Sequence, residues 1–145
     1  MKRPQLAEEV AYLDLLRTTG LLSRPLDQLL KSEDLSTAQY NVLRILRGCP
    51  DGLTCGDIAA RMVSRDPDIT RLLDRMEKRK LISRARNDRD RRVVLTRITP
   101  EGLDLLARLD LPVRDTHRRL LGHLGPERLR ELSNLLEACR KHVSG

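Results

Sequence analysis

The 145-residue chain is 39% hydrophobic and 34% charged, too apolar to be disordered and too polar for a membrane protein. Aromatic residues make up 1%, with no Phe or Trp, so the core must be aliphatic, which favours helices over a β-sandwich. The net charge of +7 is concentrated: residues 61–97 hold 13 basic and 6 acidic side chains, against 7 and 8 in residues 1–60 and 8 and 7 in residues 98–145, and such a block implies a polyanionic partner.

The first predicted element is a helix, "LAEEVAYLDLLRTTGLLSRPLDQLL", with Leu6, Val10, Leu13 and Leu16 at i, i+4, i+7 and i+10. Gly20 and Pro25 predict a kink or break near its middle. A second helix opens on a capping box, Ser36 with Gln39, and a hydrophobic staple, Leu35 with Tyr40, and stops at Gly48 before Pro50. A third opens on Thr54 with Asp57 and places Ile58, Ala59 and Met62 inward. After a short turn, "VSR", the fourth is predicted to begin at Asp66 as N-cap with Pro67 in the first turn, and to bury Ile69, Leu72, Leu73 and Met76.

The period then changes. "LISRAR" and "RVVLTRIT" are rich in β-branched residues and alternate, so they read as a two-stranded hairpin around the polar turn "NDRD". Thr99 caps a fifth helix with Pro100 at its first position. Leu103, Leu106 and Leu109 start its apolar face, and Pro112 predicts a bend or interruption. Gly125 and Pro126 open the last helix, where Leu129, Leu132, Leu136, Cys139 and Val143 alternate steps of three and four like a coiled-coil seam.

Two short helices joined by a tight turn and followed by a basic hairpin make a winged helix-turn-helix. A helix fits the major groove, and an arginine-tipped hairpin reaches the adjacent minor groove, whose negative potential attracts guanidinium groups. The fold class expected is mainly α, with a two-stranded β-wing and a bundle of N- and C-terminal helices. The hairpin arginines are Arg84, Arg86, Arg89, Arg91 and Arg92, with Arg97 further along the second strand.

The stretch "LTCGDIAARM…DITRLLDRMEKRKLISRARNDRDRRVVLTRITPEG" resembles the core of the MarR regulators, over about residues 53–102. The resemblance implies that the terminal helices of two subunits interlock into a homodimer. It makes Asp90, Arg91 and Arg92 the wing motif, with an arginine in the minor groove and Asp90 bracing it by ion pairing. It makes the helix beginning near Asp66 the recognition helix, with Thr70 and Arg71 at the family's "T-R" step, and it places a small effector, often phenolic or lipophilic, between the dimer helices and the DNA-binding lobe.

The expected function is sequence-specific binding of double-stranded DNA as a ligand-responsive repressor on a pseudo-palindromic operator. The chain is expected to be one domain, with a DNA-binding lobe at 35–100 and dimerisation helices at 1–34 and 101–145. Base and phosphate contacts are assigned to Asp68, Thr70, Arg71 and Arg75, with Asp68 either accepting from a cytosine amino group or paired with Arg71. The wing contacts are Arg84, Arg86, Arg89, Asp90, Arg91 and Arg92, and the dimer seam is Leu6, Val10, Leu13, Leu129, Leu132, Leu136 and Cys139. Rival readings are a winged-helix module docking acidic protein, and a nonspecific, nucleoid-type DNA binder.

No phosphate-binding glycine loop, nucleophile elbow or paired zinc-histidine helix is present, so no enzyme activity, cofactor or metal is expected. Of the three cysteines, Cys49, Cys55 and Cys139, Cys55 is the candidate redox-sensing thiol, because the first turn of a helix lowers a thiol pKa. The odd count, the absence of a long apolar run and the absence of a secretory start in "MKRPQLAEEV" point to a reducing cytoplasm.

Overall fold

The computed structural model describes residues 3–145. Its elements in chain order are α1 (Ala7–Lys31), α2 (Thr37–Arg47), α3 (Cys55–Arg61), α4 (Ile69–Lys78), β1 (Ile82–Arg86), β2 (Val94–Ile98), α5 (Pro100–Leu121), a 3-10 turn (Gly122–Leu124) and α6 (Gly125–Ser144). The two strands pair antiparallel, with Arg84 opposite Thr96 and Arg86 opposite Val94. Leu53, just before α3, adds an isolated bridge to Thr96, so the middle of β2 is tied back to the helices.

The local signals place most element starts. Ser36 accepts from the Gln39 N–H at 3.1 Å while the Gln39 side chain accepts from the Ser36 N–H at 3.1 Å, the complete capping box. Thr54 accepts from the Asp57 N–H at 3.2 Å, and Thr99 accepts from the Gly102 N–H at 3.1 Å. Both α1 and α4 end in Schellman turns. The Leu35 N–H reaches the Leu30 carbonyl and the Leu81 N–H reaches the Met76 carbonyl, with Asp34 and Lys80 at positive φ of 55° and 61°. All four of those leucine and methionine side chains are buried, so the apolar contact holds the turn despite two non-glycine residues in a left-handed conformation.

Three expectations are corrected. α1 runs without a break through Gly20 and Pro25. Proline removes one N–H donor, but the solvent-exposed helix leaves water to satisfy the freed carbonyl, and Leu26, Leu29 and Leu30 anchor the last turns on the core. α5 likewise continues through Pro112, where Val113 is buried and Thr116 donates its hydroxyl to the Pro112 carbonyl at 2.9 Å. In α3 only Ile58 is fully buried; Met62 is half-buried and Ala59 faces solvent, because the seven-residue helix turns a single face inward.

One aliphatic core joins α2, α3, α4 and the wing base to parts of the outer helices. Leu43, Leu46, Ile58, Leu73, Met76 and Ile82 are its centre, together with Leu30 of α1 and Leu105, Leu106, Leu109 and Val113 of α5. The lobe's packing therefore extends past 35–100 in both directions. Arg47 of α2 reinforces it by gripping both carboxylate oxygens of Asp110 on α5, at 3.0 and 2.9 Å.

The tightest approach is at Gly102, in the first turn of α5. A Cβ there would lie 2.5 Å from the Leu81 carbonyl oxygen and 2.7 Å from Ile98 Cγ1. Alanine in a helix ordinarily stabilises relative to glycine by about 1 kcal/mol. Here Gly102→Ala is expected to destabilise by about 1–3 kcal/mol, because the wing base must move off α5. A urea titration with an unchanged or raised midpoint would show that this packing yields.

Candidate nucleic-acid interface

α4, the helix that the resemblance makes the recognition helix, starts later than the sequence reading placed it. The N-cap is Asp68, whose Oδ1 accepts from the Arg71 N–H at 3.1 Å. Asp66 sits two residues outside and accepts from the Asp68 N–H at 2.8 Å. Pro67 permits a helix to start but does not choose which neighbouring aspartate caps it; the extra turn through Asp66 does. The Asp68 carboxylate also lies 3.6 Å from Arg71 Nε, so it is occupied within its own helix.

α4 separates its faces sharply. Leu72, Leu73 and Met76 are buried, whereas Thr70, Arg71, Asp74, Arg75 and Lys78 are exposed. At its far end Arg79 donates to the backbone carbonyls of Asp34 and Glu33, which ties that end to the turn between α1 and α2. The exposed row of α4 is thus held in place by its cap and by Arg79, with Arg71 and Arg75 facing solvent.

In the wing the arginines divide into braces and free tips. Arg84 lies in mid-strand and turns away from the tip. Its Nη2 donates to Asp74 Oδ1 at 2.6 Å and to Glu77 Oε1 at 3.0 Å, and its Nε donates to Glu77 Oε2 at 3.2 Å. The guanidinium holds the Glu77 carboxyl below its ordinary value, and the two carboxylates strengthen the arginine's hold on its proton. Arg86 donates to the Arg91 carbonyl at 2.8 Å and so closes the loop from within. Asp90 accepts from the Arg92 N–H at 3.1 Å and from Arg92 Nε at 3.3 Å, yet the Arg92 side chain remains 92% exposed. Among the described residues the Arg75, Arg89 and Arg91 side chains have no hydrogen-bonding partner.

A cavity of about 550 Å³ lies between α1, α2, α5 and the loop leading into α4. Leu26, Ala38, Met62 and Val63 give it apolar walls, and Arg44, Arg65, Asp66 and His117 give it polar ones. Its size suits a small organic molecule. Sequence reasoning assigned none of these residues to an effector site; they come from four separate segments with no local motif.

The remaining sequence candidates lie elsewhere. Leu6 and Val10 are 66% and 41% exposed, Leu132 is 36% exposed, Cys139 is exposed, and Leu13, Leu129 and Leu136 are half-buried. They lie along α1 and α6, apart from the basic face, and α6 buries no residue. Cys55 is the half-buried first residue of α3, and Cys49 accepts at Sγ from Arg61 at 3.0 Å.

A model of the MarR family matches residues 35–94, which run from the end of the α1–α2 turn to the start of β2. The crystal structure of a MarR transcription factor from Planctomyces limnophilus is 41% identical, superposes with a TM-score of 0.70, and aligns over 94% of this chain and 99% of that one. The chain belongs to the MarR family. It is a transcriptional regulator on a DNA-binding winged helix-turn-helix, whose β-wing is the β1–β2 hairpin. The homoprotocatechuate degradative operon repressor of Escherichia coli is 28% identical over 109 residues, which are 75% of this chain and 73% of that one. Staphylococcus aureus MepR, solved in complex with DNA, is 25% identical with a TM-score of 0.79, over 91% of this chain and 96% of that one. Among the described residues no helix of this MarR protein is long and apolar enough to cross a membrane.

Proposed function

We propose that the protein is a ligand-responsive repressor that binds a pseudo-palindromic operator as a homodimer, in the compartment that holds the DNA. The observation that carries this reading is one lobe presenting two sets of exposed cations, Arg71 and Arg75 on α4 and Arg89, Arg91 and Arg92 at the wing tip. The first set suits base edges and phosphates in a major groove, with Thr70 beside it, and the second suits the flanking minor groove. Arg92 is the minor-groove residue, and Asp90 aims it. Asp68 serves the helix as its cap. That MepR was solved with DNA and that an E. coli relative represses a degradative operon support the same direction.

The exposed apolar residues of α1 and α6 require a cover, and a second copy supplies one by symmetry. Half-sites are then about one helical turn, ~34 Å, apart. The cavity beside the loop leading into α4 is the effector site. Its mix of apolar walls with two arginines, Arg44 and Arg65, against one carboxylate, Asp66, favours a small molecule with an apolar body and an acidic group.

The test is selection of bound duplexes from a random-sequence pool, followed by titration of the enriched duplex at several salt concentrations. An inverted repeat should emerge, and affinity should fall steeply with salt, by about 10³-fold or more between 50 and 200 mM if six or more phosphates are neutralised. Enrichment without a shared motif would mean a nonspecific, nucleoid-type binder. A flat salt response would remove the polyanion reading and leave a module for acidic proteins.

A further inference from the structure

We propose that Arg84 is a positioning residue that couples the wing to the recognition helix and so fixes the offset between the two grooves the lobe reads. The inference rests on the DNA-binding reading above, in which the wing and α4 act together. Arg84 stands at the middle of β1, opposite Thr96, and its side chain is only 24% exposed, against 92% for Arg92 at the tip. Its planar fork engages two carboxylates three residues apart on α4, Asp74 and Glu77, through three hydrogen bonds between 2.6 and 3.2 Å. A guanidinium held in this way sets direction as well as distance, which an ammonium cannot do.

The placement gives the pair a mechanical role. The hairpin is secured at its base by the contact of Gly102 with Leu81 and Ile98, and level with Arg84, on the β2 side, by the Leu53–Thr96 bridge. Arg84 lies on the tip side of the Leu81–Gly102 contact, so it is the strut that sets the angle between hairpin and helix. Asp74 also follows Thr70 and Arg71 by four and three residues, on the exposed side of α4, so the strut meets the helix one turn from the reading residues.

A phosphate contact by Arg84 makes the opposite prediction from a strut, and the near-isosteric pair Asp74→Asn with Glu77→Gln separates them. The probe is the duplex that the wild-type protein selects from a random pool, read by gel-shift titration and hydroxyl-radical footprinting. As a strut, Arg84→Ala and the Asp74→Asn/Glu77→Gln variant each weaken binding about tenfold, within the range of coupling residues, and both lose minor-groove protection at the wing while keeping the contact of α4. In a background of Arg91→Ala with Arg92→Ala, which already lacks the wing contact, Arg84→Ala then adds little. As a direct contact, freeing the guanidinium by removing two negative charges tightens binding, and Arg84→Ala multiplies with the wing variant. Either of those results overturns the proposal, as does unchanged binding of Arg84→Ala. Should Arg84→Ala fail to fold by circular dichroism, the asparagine–glutamine variant decides alone. If Arg91→Ala with Arg92→Ala binds as wild type, the wing reading itself fails and takes the coupling with it. If that variant weakens binding while Arg84→Ala multiplies, only the coupling fails.

Discussion

Leu132→Asp turns the protein into monomers and lowers operator affinity on the order of 100-fold or more, because each lobe must then bind its half-site alone. The side chain lies on α6, which buries nothing within the described chain, and Leu132 itself is 36% exposed. An aspartate there disturbs no packing of the lobe but places an uncompensated charge in an apolar seam. Sedimentation velocity measures the mass, and circular dichroism checks that the helices persist. A dimer that survives the substitution would move the interface off this face of α6.

Arg91→Ala with Arg92→Ala weakens operator binding by roughly 1–3 kcal/mol for each lost contact, so the pair costs between about 30-fold and about 10⁴-fold. The loop should keep its shape. The Val93 N–H bonds to the Asp90 carbonyl at 3.0 Å and the Asn87 N–H to the Val93 carbonyl at 2.8 Å, both independent of the two side chains. The melting temperature should therefore stay close to wild type while a gel-shift titration moves. Equal affinity of variant and wild type would place the tip outside the groove.

What the sequence makes legible is local. The Ser36–Gln39 box, the caps at Thr54 and Thr99, the Gly125–Pro126 start and the change of period at the hairpin each depend on residues within one turn of one another. The buried stripe of α4 follows from spacing alone, with Leu72, Leu73 and Met76 buried. Proline is a weaker guide: Pro25 and Pro112 both lie inside continuous helices, because packing of the flanking residues outweighs one missing donor. The cap of α4 shifts by two residues because three candidate positions, Asp66, Pro67 and Asp68, compete within a single turn. Least legible are the roles that depend on distant partners. A string of wing arginines looks uniform in sequence, yet Arg84 is tied to α4, Arg86 braces the loop and Arg91 is free, and only the pairing of strand with helix sorts them.

The close seating of Gly102 against Leu81 and Ile98 makes α5 a lever that carries the hairpin at the end of its long arm. The helix has 22 residues and is about 33 Å long. A tilt of about 6° around its far end therefore carries the hairpin some 3.4 Å, the rise of a single base pair along one strand. A small molecule lodged beside His117, near that far end, need nudge the rod only slightly to throw the grip out of step with the duplex.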